Sequence, residues 1–278
     1  MASTSTNSGH DEYLLGSRDD ELQRLAFQHR VWAEQAFALW TRAGFRRGAT
    51  ILDLGCGPGF TTVDLAHLVG PRGRVLAVDS SERFLDSLRQ RTTEADLAHI
   101  RVMHSDVHDL ELEPESVDGA YARWLFCFLR DPAAVVGRVA RALRPGGTFA
   151  VTDYFNYRAF TFAPRSAILD RVVAAVQQCW RQRGGDLEIQ GRMPRIMRSA
   201  GFDVVEVSQS CRIAEPGSPL WDWPRTFFRG FLPTLEQADL ITPEERRAFE
   251  REWEEREKDP TTRLFVPPMI DVVGVKRS

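Results

Sequence analysis

Cysteine is scarce and scattered: Cys56, Cys127, Cys179 and Cys211 form no CxxC pair and no tight cluster with histidine. That excludes a disulfide framework and a zinc site of the usual spacing, so no metal is expected, and a reducing compartment is the simple reading. Charge of one sign is not in excess either, since 36 Lys+Arg face 39 Asp+Glu for a formal net charge of −3. Without a basic field there is nothing to hold a polyanion, and nucleic acid is not an expected partner. No apolar run approaches the roughly 18–20 residues of a membrane span. Residues 1–11 carry no Lys or Arg and no apolar core, so they do not read as a secretory signal, and a tail is expected over 1–16. No internal repeat is visible. These absences lead to the expectation of a soluble cytoplasmic protein, monomer or homodimer.

What is present is ample for a large core: 278 residues, 43% hydrophobic and 27% charged. A helix reads from Ser17 to about Gly44, with Leu22, Leu25, Ala26, His29, Ala33, Ala36, Phe37 and Trp40 near helical spacing. An apolar run from Ala49 to Leu54 breaks into a glycine cluster, and a helical pattern follows from Phe60 to about Val69. Strand signals recur at Val75–Val78, Ile100–Met103, Val117–Tyr121 and Thr148–Thr152, with helices over Ser81–Arg91 and Asp131–Leu143 and a turn at 144–147. Strands alternating with helices at this pace predict a doubly wound parallel α/β sheet. Beyond Asp153 the rhythm changes. Helices are expected over Pro164–Arg183 and Arg192–Ala200, strands over Phe202–Ser208 and Ile270–Lys276, and a capping box at Thr242–Glu245.

The chemistry concentrates in Ile51-Leu52-Asp53-Leu54-Gly55-Cys56-Gly57-Pro58-Gly59-Phe60. Apolar strand, glycine turn and helix start bring backbone N–H groups close to a ligand without side chains in the way. Asp79 lies at the tip of the next strand, where a carboxylate can grip a ribose diol. A dinucleotide site uses G-x-G-x-x-G, and here Phe60 occupies the third glycine position. That bulk argues against a pyrophosphate and for a nucleoside without one.

Residues 49–153 resemble a class I S-adenosylmethionine-dependent methyltransferase of the small-molecule type. ILDLGCGPGF at 51–60, VLAVDSS at 75–81, HSDVHDL at 104–110 and LRPGGTFAVTD at 143–153 are similar to its successive motifs. The stretch from Tyr13 through His29 is similar to the lid helix of such enzymes. The resemblance implies a Rossmann-like seven-stranded sheet with an antiparallel last strand, an N-terminal helical lid and a C-terminal insertion. It divides the chain into a helical cap at 17–48, a cofactor-binding core at 49–155 and the remainder of the same domain at 156–278. S-adenosylmethionine would be the cofactor and S-adenosylhomocysteine the product. Gly55, Gly57 and Gly59 would pass the methionine part, braced by Asp53. Asp79 would take the ribose hydroxyls, Asp106 and the Val107 backbone the adenine, and Arg123 the methionine carboxylate or the pocket floor. Ser80 sits where the family often has an apolar residue against the adenine face.

The acceptor side is less determined. Tyr13, Trp124, Tyr154 and Trp223 are the expected acceptor contacts. Trp221, Trp223, Phe227, Phe228 and Phe231 make an aromatic stripe that either glues the insertion to the sheet or lines an apolar pocket. His29, Tyr154 and Tyr157 are the candidate catalytic groups, though His29 also reads as a packed core histidine. The expected activity is methyl transfer to an N or O atom of a small, apolar or aromatic metabolite. A thiol, carbon or nucleic-acid acceptor, or a non-catalytic nucleoside-cofactor-binding protein, remains the alternative.

Overall fold

The computed structural model describes residues 19–278, so the expected tail, the Ser17 cap and the acceptor contact Tyr13 lie outside the described residues. Helix α1 (Asp19–Arg42) opens the fold. Its buried stripe is Trp32, Ala36, Leu39 and Trp40, and Ala43 continues it just past the helix. The expected inner face included Phe37, which is instead 42% exposed. Five residues carry a helix about 140° beyond a full turn, so Phe37 cannot share the face of Trp32.

The alternation then runs β1 (Thr50–Leu54), α2 (Phe60–Val69), β2 (Arg74–Asp79), α3 (Glu82–Glu94), β3 (Ile100–His104), β4 (Val117–Arg123), α4 (Pro132–Ala142) and β5 (Leu143–Tyr154). Four consecutive residues of β1 and four of β2 are buried, because helices cover both faces of a parallel sheet. The expected turn at 144–147 is absorbed into β5. The ladder with β4 skips it, passing from Val117↔Leu143 to Gly119↔Thr148.

The second half supplies β6 (Thr161–Ala163), α5 (Ala167–Gln182), α6 (Met193–Ser199), β7 (Phe202–Ser210), β8 (Ile213–Ala214), α7 (Pro219–Gln237), α8 (Pro243–Lys258), β9 (Arg263–Phe265) and β10 (Met269–Lys276). The main sheet has seven strands in the order β3-β2-β1-β4-β5-β10-β7, with β10 antiparallel to both neighbours. A separate antiparallel sheet, β6-β9-β8, was not legible in the sequence. Thr242 and Glu245 form the expected capping box at the start of α8. Among the described residues, no helix is long and apolar enough to cross a membrane.

The aromatic stripe divides along α7. Trp221 and Phe228 pack into the core beneath α8, within 5.9 Å of Trp253, and Phe231 meets Trp180 of α5 at 5.2 Å. Trp223 points elsewhere, toward α1.

Candidate active site

Chain order reverses between β1 and β4, so their C-terminal ends flank the crevice where open α/β sheets bind ligands. The glycine turn leaves β1 there and Arg123 ends β4 there. Gly59 caps α2 at φ 83°, and a Cβ on it would fall 2.3 Å from the Leu88 side chain. Gly57 has φ 54°, and a Cβ there would meet nothing within 4 Å. The turn is therefore packed from below at Gly59 and open above Gly57.

Two carboxylates brace it. Asp53 is buried and accepts a hydrogen bond from the Thr62 hydroxyl at 2.7 Å, tying β1 to the first turn of α2. Burial pushes its pKa up to about 7, against the lowering influence of Thr62 and Arg123. Asp79 accepts from the Gly57 N–H at 2.8 Å and from the Ser81 N–H at 2.9 Å. Burial raises its pKa too, with the backbone donors opposing. Ser80 is exposed, and its carbonyl accepts from His104 Nε2 at 2.9 Å. Asp106 is exposed and turned onto its own loop, accepting from the His108 N–H at 2.8 Å, while Val107 is buried.

Arg123 stands over the other side of the turn. Its Nη2 donates to the Thr61 hydroxyl at 2.9 Å and to His29 Nδ1 at 3.1 Å, while its Nη1 is buried without a partner. Since Nδ1 of His29 accepts, the proton sits on Nε2, which donates to Asp64 at 2.9 Å. The ring also stacks on Phe60 at 5.9 Å. Both histidine nitrogens are thus engaged, and the ring turns no free lone pair toward an acceptor. Asp64 and Thr61 escaped the sequence reading, although they lie only five and two residues past Gly59.

Beside Arg123, three indoles from three elements converge. Trp124 lies 5.9 Å from Trp32 of α1 and 6.0 Å from Trp223 of α7, which are themselves 5.0 Å apart. Tyr154, at the end of β5, stacks on Trp124 at 6.4 Å, and Tyr157 meets Tyr154 edge-on at 5.2 Å. Trp124 holds φ 52°, a left-handed conformation rare for a bulky residue. Its backbone N–H donates to the Thr152 carbonyl at 2.9 Å, and its indole N–H to Met269 Sδ at 3.2 Å. Trp223 is fixed by its indole N–H donating to Gln28 Oε1 at 2.9 Å. Burial raises both phenols, Tyr154 and Tyr157, above the usual tyrosine value, which keeps them neutral donors. The structure brings Trp124, Tyr154 and Trp223 together with Trp32. That residue sits three after His29 on the same helix, the spacing by which it could have been found.

A buried unpaired guanidinium N–H, an open backbone above Gly57 and a strand-tip carboxylate suit a zwitterionic amino acid joined to a nucleoside. With the sheet order, these features define a class I S-adenosylmethionine-dependent methyltransferase, whose cofactor is S-adenosylmethionine. Residues 52–151 match the model of a methyltransferase domain family.

Relatives bear on how far the likeness reaches. An uncharacterized 37.1 kDa protein in transposon TN4556 of Streptomyces fradiae is 41% identical over 108 residues, which is 39% of this chain and 31% of that protein. The demethylmenaquinone methyltransferase of Listeria monocytogenes is 26% identical over 192 residues, covering 64% of this chain and 78% of the relative. Among solved structures, a phosphoethanolamine N-methyltransferase of Haemonchus contortus in complex with S-adenosylhomocysteine shares the fold, with a TM-score of 0.56. It is 19% identical, and the match covers 88% of this chain and 53% of that one.

Proposed function

We propose that the protein transfers the methyl group of S-adenosylmethionine to an N or O atom of a small, flat, apolar or aromatic acceptor. The observation that carries this reading is the meeting of Trp32, Trp124 and Trp223 beside Arg123 and the glycine turn. Bound S-adenosylmethionine supplies an electrophilic methyl carbon for in-line displacement. Gly57 leaves the approach to the turn open, Asp79 would make the ribose contact, and Arg123 Nη1 the carboxylate contact. Asp53 and Thr62 keep the turn in place. The indoles align a planar acceptor and exclude water, which favours a reaction that disperses charge. His29 is fully hydrogen-bonded, and the two phenols are held neutral, so these groups furnish no ready base. A neutral amine needs none, and a hydroxyl acceptor would have to arrive already acidic.

The likeness to a demethylmenaquinone methyltransferase, with the near-parallel rings of Trp124, Trp223 and Tyr154, supports a second reading: methylation at carbon of a quinol-type ring. A panel of amines, phenols, quinols, carboxylates and thiols, scored by S-adenosylhomocysteine release, separates the two. Turnover on amines or phenols alone supports the first reading, and turnover on quinols alone replaces it with the second. A calorimetric titration showing no S-adenosylhomocysteine binding would refute both.

A further inference from the structure

The imidazole of His29 furnishes no ready base, yet three groups from two neighbouring elements hold it. Asp64 of α2 takes its Nε2–H at 2.9 Å, Arg123 of β4 donates to its Nδ1 at 3.1 Å, and the Phe60 ring stacks on it at 5.9 Å. Phe60 in turn carries the Arg91 guanidinium of α3 at 4.1 Å. Only 12% of the histidine side chain is exposed. The bulky residue in place of a third loop glycine thus serves as a wall for this imidazole.

The consequence falls on Arg123. Its Nη2 carries two hydrogens, and both are committed, one to the Thr61 hydroxyl at 2.9 Å and one to His29 Nδ1. The guanidinium also lies over the Trp124 ring at 4.8 Å. Among the described residues no carboxylate pairs with it directly, and Asp64 is linked to it through the imidazole. A guanidinium is planar and rigid, so two bonds at one nitrogen and a ring under the face fix where the other nitrogen points. That other nitrogen, Nη1, is the one without a partner. Thr61 belongs to the first turn of α2, which has no acidic residue and no side-chain cap. A held positive charge beside an unopposed helix N-terminus favours an anion there.

We infer that His29 is a positioning residue for the cofactor. Clamped by Asp64 and Phe60, its Nδ1 turns the Arg123 guanidinium so that Nη1 is left to the carboxylate of S-adenosylmethionine. The inference rests on the methyl-transfer reading and on its assignment of Arg123 to that carboxylate.

Two ligands read the effect, S-adenosylhomocysteine and its decarboxylated analogue, which lacks only the carboxylate. Each is titrated calorimetrically into the full chain and into the His29→Leu, His29→Asn and Arg123→Met variants. The unaltered protein should prefer S-adenosylhomocysteine. His29→Leu, of similar bulk, removes the acceptor and should cut that preference about tenfold, the scale of one hydrogen bond to a charged group, while leaving the analogue's affinity within about twofold. His29→Asn puts an amide oxygen near the place of Nδ1 and should restore most of the preference. A role in packing alone would weaken both ligands equally in His29→Leu, and that result overturns the inference, as does an asparagine variant no better than the leucine one. Arg123→Met tells this failure from that of the reading beneath it. A preference abolished by Arg123→Met but kept in His29→Leu overturns the positioning role alone. A preference kept in Arg123→Met removes the carboxylate contact and the inference with it, and an unaltered protein that binds no S-adenosylhomocysteine removes the methyl-transfer reading as well.

Discussion

Asp79 has a partner before any ligand arrives, because its carboxylate already holds the Gly57 N–H. A ribose diol would add charge-assisted hydrogen bonds to oxygens aligned by that contact. Asp79→Ala is expected to weaken S-adenosylhomocysteine binding by about 2 kcal/mol or more, read by calorimetry. An unchanged dissociation constant would remove Asp79 from the site. Residue roles of this kind were partly legible in the sequence. The glycine spacing and the strand-tip acid could be read directly, since both follow from backbone geometry. The partners of His29 could not, because Asp64 and Arg123 lie 35 and 94 residues away in sequence. Only the packing of α1 on α2 and β4 brings them within hydrogen-bond distance.

Elements were legible where periodicity was undisturbed and obscure where it was broken. Helix α7 holds Pro224 and Pro233, each lacking the N–H that the helical ladder requires. Burial of Leu220, Trp221, Trp223, Phe228 and Phe231 outweighs those lost bonds, but a reading of breakers alone stops short of a helix. Strands β6, β8 and β9 are only two or three residues long, below any period that alternation could reveal. The division of labour along α7 gives a test at this scale. Trp223→Ala should raise the acceptor KM while leaving cofactor affinity unchanged, because the indole meets Trp32 and Trp124 rather than the glycine turn. Phe228→Ala, by contrast, should act on stability, costing about 3–5 kcal/mol as a buried aromatic truncation does. Steady-state kinetics on the folded Trp223 variant with no change in KM would return that residue to the core.

Across the whole molecule, the alternation of strand and helix was enough to define the sheet, because doubly wound parallel sheets follow from short right-handed connections. The aromatic junction proposed as the acceptor site was not, since its residues come from α1, the end of β4, β5, α7 and β10, and no local pattern joins them. Global stability carries a signature of the buried carboxylates. Burial raises Asp53 and Asp153 from an ordinary value of 3.8 to about 7. Between those two values the native state keeps protons that the unfolded chain has released, so stability falls as pH rises. The slope should reach about 1.4 kcal/mol per pH unit for each group, measured by urea unfolding from about pH 5 to pH 8. Asp153→Asn should flatten it, since the amide oxygen still accepts a bond but no proton is exchanged. An unaltered slope would mean that Asp153 is ionised throughout.

The left-handed backbone of Trp124 makes the protein its own gauge of conformational strain. For most positions alanine is the milder truncation and glycine the harsher, by about 0.5–1 kcal/mol. At φ 52° the order should invert, because glycine alone occupies that region without a steric penalty. Trp124→Gly and Trp124→Ala empty almost the same space, so the difference between their unfolding free energies isolates the backbone from the ring. A more stable glycine variant would measure, in one subtraction, how strongly the surrounding indoles and the Thr152 carbonyl hold the chain against its own preference.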